Sequence, residues 1–253
     1  MHVVTSRGTT VHLFSGPYVT IDGTRRSVPE GSKRLLAFVA LRQGRVERRH
    51  VAGTLWPIGD DCRAAGNLRS ALWRLRGAGI EVMRCDKWSL SLHDQVTVDV
   101  YQLGAWADRV ISGRPEVGDL GRLHVEPDAL DLLPGWYDDW TILERERLRQ
   151  RVLHALEAQS RILSSEGQHA DAVDVALAVV RAEPLRESAH RTLIEAHLGE
   201  DNWAEAQRAL EGYRGLLERE LAVSPSTELV RLVQCEAWRR HQAAAPRVAV
   251  THA

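Results

Sequence analysis

The sequence predicts an α+β N-terminal winged helix-turn-helix followed by an all-α tetratricopeptide-like helical domain. Three observations lead to this fold class: a basic amphipathic helix at residues 62–76, strands before it with a hairpin after it, and a repeat in the second half of the chain. We place the first domain at residues 1–98, the helical domain at 99–240 and a disordered tail at 241–253.

Short strands open the chain. Residues 11–14 and 18–21 are rich in β-branched and aromatic side chains, and Asp22-Gly23 is a strong turn signal after them. A third strand is predicted to begin at Ser27. These signals predict a small antiparallel sheet ahead of the first helix.

Three helices and a hairpin follow. The first helix begins near Ser32 and ends at Gly44, the second covers residues 47–56, and Asp60 with Asp61 caps the third. Two further stretches then alternate apolar and polar side chains and predict a hairpin, at 80–84 and 88–92. Strands, three helices and a hairpin wing form the winged-helix subclass of bacterial response regulators, in which the third helix enters the major groove of DNA.

The third helix carries the strongest functional signal. At 100° per residue its apolar face is predicted to hold Ala65, Leu68, Leu72 and Leu75. The opposite face holds Arg63, Asn67, Ser70 and Arg74, with Arg69 and Arg76 on the flanks. The candidate DNA-binding residues are the four on this face together with Arg69. Arginine pairs with guanine or phosphate, asparagine binds adenine, and serine suits several bases. The alternative is a surface helix with a solvated basic face.

Charge is distributed unevenly along the chain. Residues 1–100 hold 15 Lys and Arg against 9 Asp and Glu, whereas the remainder holds 18 against 25. This asymmetry predicts that the first part meets a polyanion and the second does not. Six cations near helix starts or in the wing are candidates for phosphate contacts, unless they only solubilise the surface: Lys33, Arg34, Arg48, Arg49, Arg84 and Lys87.

The second half is acidic and helical. Asp99 is a plausible N-cap, and residues 136–148 resemble a helix entrance with acids in its first turn. His169-Ala-Asp-Ala and Trp203-Ala-Glu-Ala begin 34 residues apart, the period of tetratricopeptide repeats. Such stacked helices bind peptides or a second copy of the chain.

Several classes of function are not supported. Eleven scattered histidines and three separated cysteines form no zinc, disulfide or nucleophile pattern, and we expect no catalysis, no metal and no cofactor. No apolar run approaches the roughly 20 residues that span a bilayer. Unpaired thiols and the lack of a membrane signal favour the cytoplasm.

At this point the residues resemble a known family. Leu13-Phe14, residues 32–36, Leu55-Trp56 and residues 65–76 (Ala-Gly-Asn-Leu-Arg-Ser-Ala-Leu-Trp-Arg-Leu-Arg) are similar to the DNA-binding domain of SARP-type regulators, the antibiotic regulatory proteins of actinobacteria. Residues 134–148 resemble the start of their bacterial transcriptional activator domain (BTAD). Together with the repeat, the resemblance covers residues 10–240.

The resemblance implies a transcriptional activator that binds short tandem direct repeats in double-stranded DNA as a homodimer and recruits the RNA polymerase holoenzyme. It assigns base recognition to the exposed residues of the third helix. It also implies a polymerase-facing loop before that helix, formed by Pro57, Ile58, Gly59, Asp60 and Asp61. Lys87-Trp88 stands where the family usually has a Gly-Tyr pair in the wing.

Two other functions fit the residues. One is a tetratricopeptide-like scaffold whose basic N-terminal domain docks a protein, for which Trp56 and Trp73 are suitable contacts. The other is a DNA-binding repressor that uses the same helix. The salt dependence of binding affinity distinguishes DNA binding from protein docking. Affinity for duplex DNA falls by about 0.9 log units per phosphate contact for each tenfold rise in salt concentration.

Overall fold

We describe the protein from a computed structural model, which covers residues 8–14, 16–121 and 131–244, with side chains up to residue 235. The described residues form two compact units. One unit takes in the residues up to Ala105 together with those from 131 to Arg149, and the other takes in Trp106 to 121 together with the chain from Gln150 onwards.

A four-stranded sheet begins the first unit. Its strands are β1 (Thr9–His12), β2 (Tyr18–Ile21), β3 (Thr24–Ser27) and β7 (Val96–Val98), in the order β3-β2-β1-β7, with β7 parallel to β1. Asp22 and Gly23 both have positive φ, the conformation that a two-residue hairpin turn requires. The two predicted strands at 11–14 and 18–21 correspond to β1 and β2. The third strand was predicted to begin at Ser27 but ends there, because the turn is only two residues long and β3 pairs with β2 from Thr24 onwards. β7 was missed because it is only three residues long.

Three helices follow this sheet in the chain and pack on one another. They are α1 (Glu30–Leu41), α2 (Arg48–Leu55) and α3 (Asp61–Gly77). Asp60 caps α3 as predicted, since its Oδ1 accepts a 2.7 Å hydrogen bond from the backbone N–H of Arg63. The Oγ of Ser32 in α1 donates a 2.8 Å hydrogen bond to the carbonyl of Ala71 in α3, and both residues are fully buried.

The predicted hairpin forms the wing. β5 (Met83–Cys85) pairs with β6 (Ser89–Leu92), and β6 also pairs with the short strand β4 (Val46–Glu47), which precedes α2. The backbone N–H of Arg48 donates a 2.8 Å hydrogen bond to the carbonyl of Trp88. The wing is therefore tied to the start of α2 through the backbone.

Residues 131–149 pack with the first unit. Leu132 is fully buried, and the Trp140 ring meets the Phe38 ring edge-on with 5.2 Å between centroids. Arg145 donates hydrogen bonds of 2.9 Å to the carbonyls of Leu132 and Leu133. The two compact units therefore differ from the predicted domains, whose boundaries lie after residues 98 and 240. Those domain boundaries remain predictions.

The remaining elements are helices: α4 (Asp99–Ile111), α5 (Asp139–Ser165), α6 (His169–Ala182), α7 (Glu187–Gly199), α8 (Trp203–Leu221) and α9 (Thr227–Ala244). Asp99, which the sequence suggested as an N-cap, lies at the start of α4. Its Oδ1 accepts a 2.8 Å hydrogen bond from the backbone N–H of Val100. The helix α9 continues past the predicted end at Arg240, and the last nine residues of the predicted tail, 245–253, lie outside the described part of the chain.

The 34-residue repeat is present in the backbone. The helices α6 and α8 begin at His169 and Trp203, and the residues two positions earlier, Gly167 and Asp201, both have positive φ, at 78° and 60°. Ala172 and Ala206, also 34 apart, are fully buried. Small side chains at equivalent positions let neighbouring helices approach closely in both repeats.

Candidate nucleic-acid interface

The orientation of α3 differs from the predicted one. Its buried residues are Ala64, Leu68, Ala71 and Leu75, whereas Ala65 and Leu72 are only half-buried. The prediction was wrong because it placed the axis of the apolar face on leucines. In the structure Ala64 and Ala71 are buried instead of Ala65 and Leu72, and the hydrogen bond from Ser32 to the Ala71 carbonyl joins α3 to α1 at this face.

This rotation decides which side chains face outward. Arg69, Ser70 and Trp73 lie on the side opposite the buried residues, and Trp73 is 75% exposed. Arg63 and Arg74 are exposed on one flank, and Asn67 is half-buried between them. The structure thus puts Trp73 near the centre of the outward face.

Arg74 has a partner within the first unit. Its Nη1 donates a 3.1 Å hydrogen bond to the carbonyl of Gly31, at the start of α1. A Cβ added to Gly31 would lie 2.2 Å from that nitrogen, so glycine is what allows the guanidinium to approach. Arg63 packs beside Gly59 in the preceding loop, 3.0 Å from the Cβ position of that glycine. Both arginines therefore contact a neighbouring element of the first unit while their side chains remain exposed to solvent.

A basic groove lies on the other flank of α3. It has a volume of about 690 Å³ and runs between α2, α3 and the wing. Its charged lining comprises Arg48 and Arg49 at the start of α2, Arg69 in α3 and Lys87 in the wing, together with the carboxylates of Glu47 and Asp61. Four cations from three elements thus converge on one groove.

The tip of the wing is organised by Asp86. Its Oδ1 accepts hydrogen bonds from the backbone N–H groups of Trp88 and Ser89, at 2.7 and 2.6 Å, and these bonds lower the pKa of the carboxyl. Arg45 forms an ion pair with the same side chain. The turn presents Trp88 with 73% of its surface exposed, and the Lys87 ammonium lies 4.8 Å from the centroid of the Trp88 ring.

The candidate phosphate-binding cations differ in their partners. Arg34 is held inside the first unit, where it donates to the carbonyl of Leu55 and forms an ion pair with Asp138. The others form exposed or half-exposed contacts: Lys33 with Glu30 at 2.6 Å, Arg49 with Asp61 at 2.7 Å and Arg84 with Asp94 at 3.1 Å. Exposed ion pairs of this kind contribute about 0–1 kcal/mol, so a phosphate can replace the carboxylate.

The loop between α2 and α3 is exposed at its centre. Ile58 is 86% exposed, and Gly59 has a φ of 113°, which favours glycine. Pro57 and Asp61 are also exposed, whereas the carboxylate of Asp60 is engaged as the N-cap. The loop therefore presents one large apolar side chain to solvent.

Sequence reasoning missed two residues of this surface. Arg45 and Asp86 were not singled out, although an aspartate at a hairpin bend followed by serine is a signal for a side-chain-capped turn. The outward position of Trp73 could not be predicted without knowing the rotation of α3.

Among the residues that the structure describes, no group of three or more His, Cys, Asp or Glu side chains is arranged to hold a metal ion, and no helix is long and apolar enough to cross a membrane.

Comparison with known proteins finds similarity in sequence and in fold. Residues 127–235 match the family model of the bacterial transcriptional activator domain. Over 107 residues the chain is 36% identical to the regulatory protein AfsR of Streptomyces griseus, a match that covers 42% of this chain and 11% of AfsR. The fold is similar to that of Mycobacterium tuberculosis EmbR in complex with a low affinity phosphopeptide, with a TM-score of 0.72, 21% identity, and coverage of 92% of this chain and 65% of the EmbR chain.

These matches confirm the fold class and the resemblance predicted from the sequence. The chain combines a winged helix-turn-helix with a helical domain, and residues 127–235 of the helical part match the model of the bacterial transcriptional activator domain. The chain is thus similar to SARP-type proteins in its helical part and in its fold. Both relatives extend well beyond the part that this chain matches.

Proposed function

We propose that this protein is a sequence-specific regulator of transcription that binds double-stranded DNA through α3. The observation that carries the proposal is the convergence of α2, α3 and the wing on one basic groove, next to the exposed face of α3. In winged helix-turn-helix proteins the third helix enters the major groove while the neighbouring elements contact the phosphates. Chromosomal DNA as the ligand implies that the protein works in the cytoplasm.

We assign base recognition to five residues of α3, of which all but the half-buried Asn67 are exposed: Arg63, Asn67, Arg69, Ser70 and Arg74. Within this set the structure favours Arg69, because it lies on the flank that shares a groove with the wing. Its guanidinium fits the O6 and N7 acceptors of guanine. Arg74 acts from the α1 side, where its bond to the Gly31 carbonyl already fixes its direction.

Phosphate contacts fall mainly to Arg48, Arg49 and Lys87, which line the groove. When the protein binds DNA, Lys33 and Arg84 leave their exposed ion pairs with Glu30 and Asp94 and contact phosphates instead. Arg34 contributes least, because its ion pair with Asp138 and its bond to the Leu55 carbonyl tie it to the first unit. Counterion release from these contacts supplies affinity without sequence preference.

We further propose that the protein activates transcription by contacting the RNA polymerase holoenzyme through the loop at residues 57–61. The support is the exposed Ile58 side chain beside the proposed DNA-reading helix, together with the resemblance to SARP-type activators. On DNA we expect a homodimer on tandem direct repeats. A repressor would use the same DNA contacts without this loop.

The test is selection of bound duplexes from a random pool by the full chain, repeated at several salt concentrations. We expect a short motif repeated in tandem, with an affinity that falls steeply as salt rises. Arg69→Ala should cost about 1–3 kcal/mol and relax the preference at one guanine, whereas Lys87→Ala should weaken all sequences equally.

The second candidate function, protein docking by the basic domain, is favoured by the exposed Trp73, Trp88 and Ile58 side chains. It predicts that no DNA motif is enriched and that complexes with the partner survive high salt. Activation is tested separately by transcription in vitro from a selected site. Ile58→Ala should bind DNA normally and lose stimulation, and a repressor would show no stimulation with either protein.

A further inference from the structure

We infer that Trp73 is a specificity-determining residue that packs its indole ring on thymine methyl groups in the major groove. This inference rests on the proposed function, because it concerns the same DNA-reading helix. It adds a chemical class of base contact that the arginines and the asparagine of α3 do not supply.

The position of Trp73 in α3 is unusual for a tryptophan. At 100° per residue it lies nearly opposite the buried residues Ala64, Leu68, Ala71 and Leu75. Its side chain is 75% exposed, although indole rings are among the largest apolar groups and bury 150–250 Å² in typical cores. A large apolar group at the centre of the outward face therefore marks a contact with another molecule.

The surroundings of Trp73 leave room for a close approach. A helical side chain leans over the turn that precedes it, which here carries Arg69 and Ser70. Gly66 lies one turn further back and Gly77 one turn ahead, and a Cβ at Gly77 would meet nothing within 4 Å. Small neighbours on both sides let the indole reach the floor of a groove while the arginine beside it stays free to bind a base.

Charge complementarity identifies the occupant as DNA. The helix α3 holds four arginines against one aspartate, and its flank opens into the groove lined by Arg48, Arg49 and Lys87. A polyanion is the partner that such a surface attracts. In the major groove the one apolar group that a base pair presents is the C5-methyl of thymine, and that is the group to which an indole face is complementary.

The spacing of Trp73 and Arg69 adds a geometric expectation. Residues four apart in a helix are separated by about 6 Å along its axis. The rise of B-DNA is about 3.4 Å per base pair, so 6 Å corresponds to roughly two steps. We expect the thymine read by Trp73 to lie within about two base pairs of the guanine read by Arg69.

The test uses the full chain and two random pools, one built with thymidine and one with deoxyuridine, which lacks the methyl group. The motif from the thymidine pool should contain a conserved thymine beside a guanine. Replacing that thymine by uracil should weaken wild-type binding about fourfold per methyl, since a buried carbon contributes about 0.8 kcal/mol and tenfold in affinity is about 1.4 kcal/mol. Trp73→Ala should bind both duplexes equally.

Trp88→Ala is the matched control, because Trp88 is 73% exposed but belongs to the wing. We expect it to weaken binding to the thymine and uracil duplexes by the same factor and to keep the thymine preference. Trp73→Phe should retain part of the preference. Thermal melting of each variant establishes that it is folded, which the exposure of both tryptophans leads us to expect.

Two results would overturn the inference and leave DNA binding intact. One is a wild-type protein that does not distinguish thymine from uracil at any position of its motif. The other is Trp73→Ala with an unchanged thymine preference, including the case where this variant loses binding to a protein instead. Failure of the wild-type protein to enrich any duplex would overturn the proposed function and this inference together.

Discussion

The hydroxyl of Ser32 lies 2.8 Å from the carbonyl oxygen of Ala71, and this buried hydrogen bond joins the first helix of the winged domain to its third. Both side chains are small, so the two helices approach closely at this point. Together with the packing of α3 on α2, the contact fixes the rotation of α3 about its axis. It thereby determines which residues of α3 face outward.

Replacing Ser32 tests this contact. We expect Ser32→Ala to lower the free energy of unfolding by about 1 kcal/mol through loss of the hydrogen bond. Ser32→Val should cost about 1–3 kcal/mol, because added volume forces the helices apart. Ser165→Ala is the control, since this exposed serine also donates to a helix carbonyl, and its effect should stay within about 0.5 kcal/mol. Equal effects at both serines in urea melts would remove the packing role of Ser32.

The segment at residues 131–149 is predicted to be needed for the stability of the first unit. Leu132 is fully buried there, whereas Leu143 is 69% exposed. Leu132→Ala should lower the free energy of unfolding by about 2–5 kcal/mol, as for other buried leucines. Leu143→Ala should change it by less than about 0.5 kcal/mol. Urea unfolding monitored by circular dichroism compares them, and a neutral Leu132→Ala would show that the first unit does not depend on this segment.

A buried ion pair stabilises the second unit. Glu157 is 4% exposed and accepts hydrogen bonds of 2.7 Å from Arg186 Nε and 2.6 Å from Ser188 Oγ. Glu157→Gln leaves the guanidinium without its countercharge, so we expect a loss of about 3–5 kcal/mol. The exposed pair of Arg208 and Glu205 provides the comparison. Glu205→Gln should cost less than about 1 kcal/mol in the same thermal melts. A similar cost for both substitutions would contradict the expected effect of burial.

Tyr101 gives the first unit a dependence on alkaline pH. Its hydroxyl donates to the carbonyl of Ala40 near the end of α1, and burial, with Glu144 nearby, raises its pKa to about 12. The folded state therefore holds the phenolic proton more tightly than the unfolded chain, whose tyrosine titrates near about 10. Stability from this group is fully present below pH of about 10 and is lost as the pH rises towards about 12.

Tyr101→Phe should remove this part of the alkaline transition. We expect the difference in free energy of unfolding between wild type and variant to shrink over that pH interval. Ultraviolet absorbance of tyrosinate measures the titration directly. Titration of all four tyrosines near their ordinary pKa would show that Tyr101 is not protected in the folded state.

The sequence was a good guide wherever local chemistry determines structure. The cap at Asp60, the turn at Asp22-Gly23 and the repeat that begins at His169 and Trp203 each depend on residues close together in the chain. For the same reason the winged helix-turn-helix was predictable from the order of its elements. The first unit confirms that order up to the wing.

The predictions that failed concern features determined by contacts between residues far apart in the chain. The rotation of α3 follows from packing on Ser32, which lies 39 residues earlier, and the helical period alone cannot distinguish Ala64 from Ala65 as the buried residue. The ion pair of Arg34 with Asp138 spans 104 residues. The spacing of residues along the chain contains no signal for such contacts. The partners of individual arginines could therefore be identified only from the folded structure.

Asp60 has a consequence for genetic dissection of the protein. The same residue belongs to the proposed polymerase-facing loop and caps the helix proposed to read DNA, through its bond to the N–H of Arg63. Loss of a cap costs about 0.5–2 kcal/mol and loosens the first turn of a helix. A screen for activation-defective alleles will therefore recover Asp60 substitutions with mixed phenotypes. Alleles at Ile58 will separate the two activities, because that side chain projects into solvent and contributes nothing to the cap.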